Sequence, residues 1–174
     1  MAEPAPSLQV AEVAHLTGSF TLRSGQEASA YFDKFHFRSR PHLLAEVADE
    51  LAALLPPEIE LVAGLQLGGV PLAATLALRT GLPAVHVRLE RKAYGTGRIT
   101  EGIDVSGRQV AVVEDVVTTG GQIALSTEDL RREGAAVGHA LAVVDREVGG
   151  RENLRRSGLE LRSVFTTADL VAVP

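Results

Sequence analysis

The chain contains no cysteine and no tryptophan, and aromatic residues make up only 4% of its 174 residues. The absence of cysteine excludes disulfide bonds, thiolate zinc sites and a cysteine nucleophile, and it is compatible with a cytoplasmic location. Because aromatic side chains are scarce, the core must consist mainly of Ala, Val and Leu. A length of 174 residues favours a single domain that can bury such a core.

Long apolar runs and excess positive charge are also missing. No apolar run approaches the roughly 18 residues that a membrane-spanning helix needs. The N-terminal residues MAEPAPSLQV lack the basic start and apolar segment of a signal peptide. The net charge of −5 argues against broad nucleic-acid binding, and the five histidines show no metal-ligand spacing. We therefore expect neither a membrane nor a nucleic acid as a partner.

The most informative stretch of the sequence is QVAVVEDVVTTGGQ, residues 109–122. Its apolar part, residues 110–113, is long enough for a buried strand and too short for a typical helix. Two carboxylates, Glu114 and Asp115, follow, and after two valines come two threonines and two glycines. The next residues have apolar side chains at helical spacing. The stretch therefore predicts a strand, a short polar loop and the start of a helix.

Such a strand–loop–helix turn can bind a phosphate, because successive backbone N–H groups and the positive end of the helix dipole point at one anion. The two carboxylates would repel that phosphate; they suit sugar hydroxyls, a bound Mg²⁺ or both. A ribose phosphorylated at its 5′ position carries all of these groups. No G-x-x-x-x-G-K-[ST] motif occurs and no G-x-G-x-x-G follows a strand, which disfavours P-loop and dinucleotide-binding proteins.

Alternating patterns along the chain predict an α/β fold with a mostly parallel central sheet. Several predicted strands are continuously apolar, which is typical of a parallel sheet covered by helices on both faces. Ligands bind such sheets at the carboxyl ends of the strands. Strands are predicted at 60–64, 84–88, 109–113, 137–144 and 160–165, with two short strands within 19–38. Helices are predicted at 7–17, 41–55, from about 68 to 80, at 120–133 and at 151–157.

The central motif resembles the phosphoribosyl diphosphate signature of the type I phosphoribosyltransferases, and motifs at the other strand ends narrow the resemblance to the orotate phosphoribosyltransferase family. The resemblance implies one domain over residues 1–174, with an N-terminal hood over the base site (1–40) and a mobile catalytic lid (90–102). It implies Mg²⁺-dependent transfer of the phosphoribosyl group from 5-phosphoribosyl 1-diphosphate (PRPP) to orotate. The products are orotidine 5′-monophosphate and diphosphate, in de novo pyrimidine (UMP) biosynthesis.

The resemblance assigns roles to the residues of the motif. It implies that Asp115 is catalytic and that Glu114 and Asp115 hold the ribose hydroxyls. It implies that Mg²⁺ binds mainly through the substrate, with no direct protein ligand. The residues implied to contact the 5′-phosphate are Val116, Val117, Thr118, Thr119, Gly120, Gly121 and Gln122. Those implied to contact the diphosphate from an earlier strand end are Leu67, Gly68 and Gly69, although tight packing could also explain the two glycines.

A basic segment flanked by glycines, residues 88–102, follows the second predicted strand of the sheet. Alone it would be a solvated loop, but beside a phosphate site it suits a lid that supplies charge to the leaving group and excludes water. The resemblance gives Lys92 the catalytic position, with Arg88 and Tyr94 beside it in PRPP binding. It also implies a homodimer in which this lysine reaches the site of the neighbouring subunit.

The base is expected to be recognised by an arginine at another strand end. The guanidinium of Arg146 matches a carboxylate, the group that distinguishes orotate from uracil. A salt bridge to the preceding aspartate is the alternative. The resemblance implies that Arg146 and Thr118 bind orotate, that Tyr31 and Phe32 border the pyrimidine, and that Arg23 contacts the diphosphate.

Two other functions stay open at this point. A type I transferase for a different base would share the phosphate motif but would not need Arg146. A non-catalytic regulator that senses PRPP and binds nucleic acid gains slight support from Leu89, which stands where the family often has a lysine. Gln66 departs in a similar way, because many members have an acid there. The net charge of −5 and the presence of Lys92 count against the regulator.

Overall fold

The computed structural model describes residues 9–10, 15–21, 27–32, 34–91 and 97–171. These residues form a two-stranded sheet and a six-stranded sheet. The strands are β1 (His15–Thr21), β2 (Glu27–Phe32), β3 (Leu61–Leu65), β4 (Ala84–Val87), β5 (Thr100–Glu101), β6 (Gln109–Val117), β7 (Ala136–Asp145) and β8 (Glu160–Thr166). The helices are α1 (Lys34–Arg38), α2 (Pro41–Ala53), α3 (Gly69–Thr80), α4 (Gly121–Arg132), α5 (Gly150–Arg156) and α6 (Thr167–Val171).

The large sheet has the strand order β5-β4-β3-β6-β7-β8. Within it β5 runs antiparallel to β4, and the other neighbouring strands are parallel. The mostly parallel α/β fold that the sequence predicts is therefore confirmed. Because β3, β4, β6 and β7 are parallel, their carboxyl ends lie along the same edge of the sheet, where a ligand site is expected.

Helices cover both faces of the large sheet. On one face α2 and α3 bury Leu51 and Leu72, and on the other face α4 and α5 bury Leu130 and Leu154. The buried residues are mainly Ala, Val and Leu, as the composition predicts. None of the described helices combines the length and the apolar character that crossing a membrane requires.

The N-terminal region differs from the prediction. The sequence predicts a helix over 7–17; Gln9 and Val10 are helical, 11–14 lie outside the described residues, and β1 begins at His15. The last part of that helix prediction is wrong, because pairing with β2 overrides the local apolar spacing. The two short strands are confirmed as an antiparallel pair, while the sequence did not predict α1.

The strand of the central motif is longer than predicted. Its predicted end at residue 113 is wrong, because β6 stays paired with β7 as far as Val117, whose register partner is Asp145. The two acids therefore lie on a strand rather than in a loop. The segment predicted as a lid also contains unpredicted structure, since Thr100 and Glu101 pair with β4.

Candidate active site

A pocket of about 170 Å³ lies where β6 ends and α4 begins. The first N–H groups of a helix have no partner within the helix, so this end of the pocket can bind an anion. The fold thus brings together residues 116–122, which we call the phosphate turn, and their binding role stays a prediction. The residues that line the pocket are Glu114, Val116, Val117, Thr118, Thr119, Gly120, Gly121, Gln122 and Ile123.

Helix α5 supports the phosphate turn from the side. The amide Nδ2 of Asn153 donates to the Thr119 carbonyl at 3.0 Å. A Cβ atom at Gly150 would overlap the Thr118 carbonyl oxygen, so α5 approaches the turn as closely as a glycine allows. Gly120 has φ 74° and leads into α4 in the left-handed conformation, which favours glycine. These contacts hold the backbone N–H groups of the turn in place.

The two acids of the motif have different surroundings. Glu114 is partly exposed at the pocket wall, and its Oε1 accepts the backbone N–H of Asp115 at 2.8 Å. Asp115 is fully buried, and its Oδ1 accepts the backbone N–H of Val116 at 2.7 Å. Successive side chains of a strand point to opposite faces. Of the two predicted ribose-binding acids, Glu114 is therefore the one that lines the pocket.

Asp115 forms an ion pair with Arg38, a residue that sequence reasoning missed. Arg38 Nη1 lies 3.2 Å from Asp115 Oδ2, and the two side chains are 5% and 0% exposed. Arg38 is the last residue of α1, so the pair joins the N-terminal segment to β6. No local sequence signal marks Arg38, because its partner is distant in the chain.

The predicted diphosphate loop lies between β3 and α3, beside Asp115. A Cβ atom at Gly68 would overlap the Asp115 carboxylate, and one at Gly69 would overlap the Val113 carbonyl oxygen. Tight packing alone therefore accounts for both glycines. Leu67 is 64% exposed at this edge of the sheet. Contact of the loop with a diphosphate stays a prediction.

The two departures from the family pattern lie next to each other. The backbone N–H of Leu89 donates to Gln66 Oε1 at 3.4 Å, which joins the ends of β3 and β4. Arg88 Nη1 lies 3.5 Å from Glu101 Oε1 in a half-exposed ion pair. Such a pair contributes little stability, so its arginine can turn to an anionic ligand at low cost.

Arg146 lies at the end of β7, next to the phosphate turn. Its backbone N–H donates to the Val117 carbonyl at 2.9 Å, and its side chain is exposed. The salt bridge to Asp145, which the sequence left as an alternative, does not form. Asp145 is buried and pairs with Arg151 at 3.1 Å instead. The guanidinium of Arg146 is therefore not neutralised by its neighbour.

Five predicted site residues have no described side chain. Arg23, Lys92 and Tyr94 lie outside the described residues, and Tyr31 and Phe32 are described through the backbone of β2. The roles that the sequence assigns to them stay predictions.

Glu133, which follows α4, is a second residue that sequence reasoning missed. Its Oε1 accepts hydrogen bonds from Arg91 Nη1 and from the Ile99 N–H, each at 2.9 Å. Its Oε2 accepts one from the Thr100 hydroxyl at 3.0 Å. One carboxylate thus joins α4 to both flanks of residues 92–96. Nothing in the sequence separates Glu133 from an ordinary solvated acid at a helix end.

The donor groups of the pocket suit a divalent cation that arrives with a phosphorylated ligand. Among the described residues, no three His, Asp or Glu side chains are placed to hold a metal ion. Mg²⁺ prefers oxygen ligands and commonly binds through one or two carboxylates together with substrate phosphates. The partly exposed Glu114 carboxylate, which lines the pocket close to the start of α4, is such an oxygen donor.

Comparison with known proteins finds similarity over almost the whole chain, although no protein-family model matches it. The orotate phosphoribosyltransferase of Nocardioides sp. is 49% identical over 160 residues, which cover 92% of this chain and 89% of the relative. The crystal structure of Mycobacterium tuberculosis orotate phosphoribosyltransferase with Fe(III) dicitrate is 34% identical, with a TM-score of 0.85 over 95% of this chain and 96% of that one. The crystal structure of the M. tuberculosis enzyme with PRPP is 30% identical, with a TM-score of 0.81 over 95% and 99% of the two chains.

Proposed function

The chain belongs to the orotate phosphoribosyltransferase family, and we propose that the pocket at the end of β6 is where it transfers a phosphoribosyl group from PRPP to orotate. The protein is a pentosyltransferase of pyrimidine biosynthesis. The observation that carries the proposed site is the pocket wall, where the N-terminus of α4 and the Glu114 carboxylate lie together. The 5′-phosphate and the hydroxyls of PRPP match these two groups.

The reaction breaks the bond between the anomeric carbon and the diphosphate and forms a bond from that carbon to a ring nitrogen of orotate. The N–H group of that nitrogen gives up its proton to solvent or to the departing diphosphate. The diphosphate leaves with the electron pair, so negative charge grows on it while the sugar becomes cation-like. Groups placed in advance around the diphosphate lower the barrier. We assign this role to Lys92, Arg88, Arg23 and the N–H groups near Gly68.

The remaining task of the protein is orientation of the two substrates. The phosphate turn binds the 5′-phosphate, and Glu114 and Asp115 bind the ribose hydroxyls. Arg146 and Thr118 place the orotate nitrogen against the anomeric carbon, with Tyr31 and Phe32 beside the pyrimidine. Holding both reactants in this way makes the step effectively unimolecular. No covalent nucleophile is needed.

Mg²⁺ is part of the proposal as a cofactor that binds with PRPP. When bound, it supplies positive charge that offsets the charge of the leaving diphosphate. We expect PRPP to supply its ligands, with no direct protein ligand, and Glu114 is the carboxylate that lines the pocket beside them. A cytoplasmic location, with which the cysteine-free composition is compatible, belongs to the same proposal.

An assay with several bases tests the proposed reaction. The purified protein is incubated with PRPP and Mg²⁺ and with orotate, uracil, hypoxanthine or adenine, and consumption is followed by ultraviolet absorbance. We expect turnover of orotate alone. Turnover of another base without turnover of orotate would contradict the proposal that orotate is the acceptor. PRPP binding without turnover of any base would instead support the non-catalytic regulator.

A mixing experiment tests the proposed homodimer with a shared lid. Lys92→Ala and Arg146→Ala should each be nearly inactive. If Lys92 serves the partner's site, each mixed dimer holds one complete site. Refolding or subunit exchange of an equal mixture should then restore about a quarter of wild-type activity, because half of the dimers are mixed.

The controls for this experiment are each variant taken through the same exchange alone. Mixed dimers that form, as seen by a mass tag on one variant, but recover no activity would contradict the shared lid. A strictly monomeric preparation that is fully active at assay concentrations would contradict the dimer requirement itself.

A further inference from the structure

The buried ion pair between Arg38 and Asp115 lies behind the pocket wall. The two groups are 3.2 Å apart, and both side chains are almost entirely removed from solvent. Taking two charges out of water is costly, and removing one partner of a buried ion pair is strongly destabilising. Each group therefore strongly constrains the position of the other.

The backbone that carries Arg38 is itself held in place. The preceding residue, Phe37, is fully buried in the core cluster that also contains Leu43 of α2 and Val113 of β6. The backbone N–H of Arg40 donates to the Phe37 carbonyl at 3.2 Å. The backbone from which the Arg38 side chain extends is therefore held in place, so Arg38 can fix the position of the Asp115 carboxylate.

The Asp115 side chain contacts three segments: the N-terminal segment, the phosphate turn and the predicted diphosphate loop. Its Oδ2 pairs with Arg38, and its Oδ1 accepts the N–H of Val116, the first residue of the phosphate turn. Its carboxylate also packs against Gly68 so closely that a Cβ atom there would overlap it. Any movement of this carboxylate would therefore displace the turn, the predicted diphosphate loop and the adjacent Glu114.

We propose that Arg38 is a positioning residue for PRPP binding. Through Asp115 it sets the position of the phosphate turn and of the two acids, Glu114 and Asp115, that are predicted to bind the ribose hydroxyls. This inference rests on the proposed function. It gives the N-terminal segment a part in binding PRPP that requires no contact between Arg38 and the ligand.

Direct binding measurements on Arg38→Met test the inference. Calorimetric titration with PRPP in the presence of Mg²⁺ should show binding weakened by about 100-fold, because the buried Asp115 carboxylate loses its ion pair with Arg38 and shifts. With PRPP at saturation, the KM for orotate should stay within about 2-fold of wild type, because Arg38 acts on the ribose side of the pocket. The matched control is Arg79→Met, which removes an arginine from an exposed pair with Asp49 and should leave both values unchanged.

Two further variants separate positioning from a general loss of structure. Arg38→Lys keeps the charge and should recover most of the PRPP affinity. The double variant of Arg38→Met with Asp115→Asn should bind PRPP no more weakly than Asp115→Asn alone, because the two residues act as one unit. Thermal unfolding of each variant identifies a temperature at which all of them are folded, and PRPP binding is compared at that temperature. If Arg38→Met does not fold, the PRPP affinities of Arg38→Lys and of the double variant decide the proposal.

Four results would overturn the inference. One is a folded Arg38→Met protein with wild-type PRPP affinity. A second is an equal loss of affinity for PRPP and for orotate in this variant. A third is no recovery of PRPP affinity in Arg38→Lys. The fourth is a double variant whose losses multiply, since Asp115 would then bind the ligand independently of Arg38. Because PRPP binding is measured directly, a wild-type protein that binds PRPP but does not use orotate would contradict the proposed reaction and leave this test intact. A wild-type protein that does not bind PRPP would overturn both.

Discussion

Replacement of Gly69 with alanine should destabilise the protein by about 3 kcal/mol, because the new Cβ atom overlaps backbone rather than a movable side chain. It would meet the Val113 carbonyl oxygen of β6, and it would also lie 3.3 Å from the Gly64 carbonyl carbon of β3. Both strands are central in the sheet, so neither can move away without breaking other contacts. Thermal unfolding should show a midpoint lowered by about 6–12 °C.

Gly138→Ala is the matched control for this substitution. Gly138 lies in β7, and a Cβ atom there meets nothing within 4 Å. The control should change the free energy of unfolding by less than about 1 kcal/mol. An equal loss of stability in both variants would show that the close approach of α3 to β6 is not the cause.

Replacement of Arg146 with alanine should lower kcat/KM for orotate by about 100- to 1,000-fold. The reason is the loss of the bidentate, charge-assisted hydrogen bonds from the Arg146 guanidinium to the carboxylate of orotate. Asp145 pairs with Arg151 and not with Arg146. Removing the Arg146 side chain therefore leaves the ion pair of Asp145 intact, and the variant loses only the contact with the base. Binding of PRPP measured by calorimetry should stay close to wild type, and unfolding should be nearly unchanged because the side chain is exposed.

Arg155→Ala serves as the control for general effects of removing positive charge. Arg155 is exposed on α5 and pairs with Glu152 on the same helix, a kind of pair that contributes little. It should leave turnover of orotate unchanged. Wild-type kcat/KM in Arg146→Ala would mean that another group recognises the carboxylate, and it would reopen the possibility of a different base.

Much of the fold was predictable because its signals are local. The sequence predicted the strands β3, β4, β6, β7 and β8 of the large sheet and the helices α2, α3 and α4, but not β5. The structure confirms the predicted elements, with ends shifted by a few residues. The resemblance carried by residues 109–122 and by the other strand ends predicted the family, which the comparisons confirm. The pocket lies within the predicted strand–turn–helix motif, since strand, turn and helix start follow one another in the chain.

The failures of prediction share one cause. Residues 15–17 show helical spacing but form a strand, and β6 continues past the predicted end, because in both cases a neighbouring strand supplies backbone partners. Glu133 and Arg38 carry no local signal, since each contacts residues from a different part of the chain. Such contacts form through packing that no short stretch of sequence describes.

By itself the sequence determined the α/β class, the order of strand, turn and helix around residues 109–133 and the family to which the chain belongs. Only the tertiary structure decided the surroundings of the charged groups. Glu114 and Asp115 are adjacent and chemically alike, yet one lines the pocket and the other is buried against Arg38. Periodicity and turn chemistry act between near neighbours, whereas burial and ion pairing depend on which distant residues the packed sheet and helices bring together.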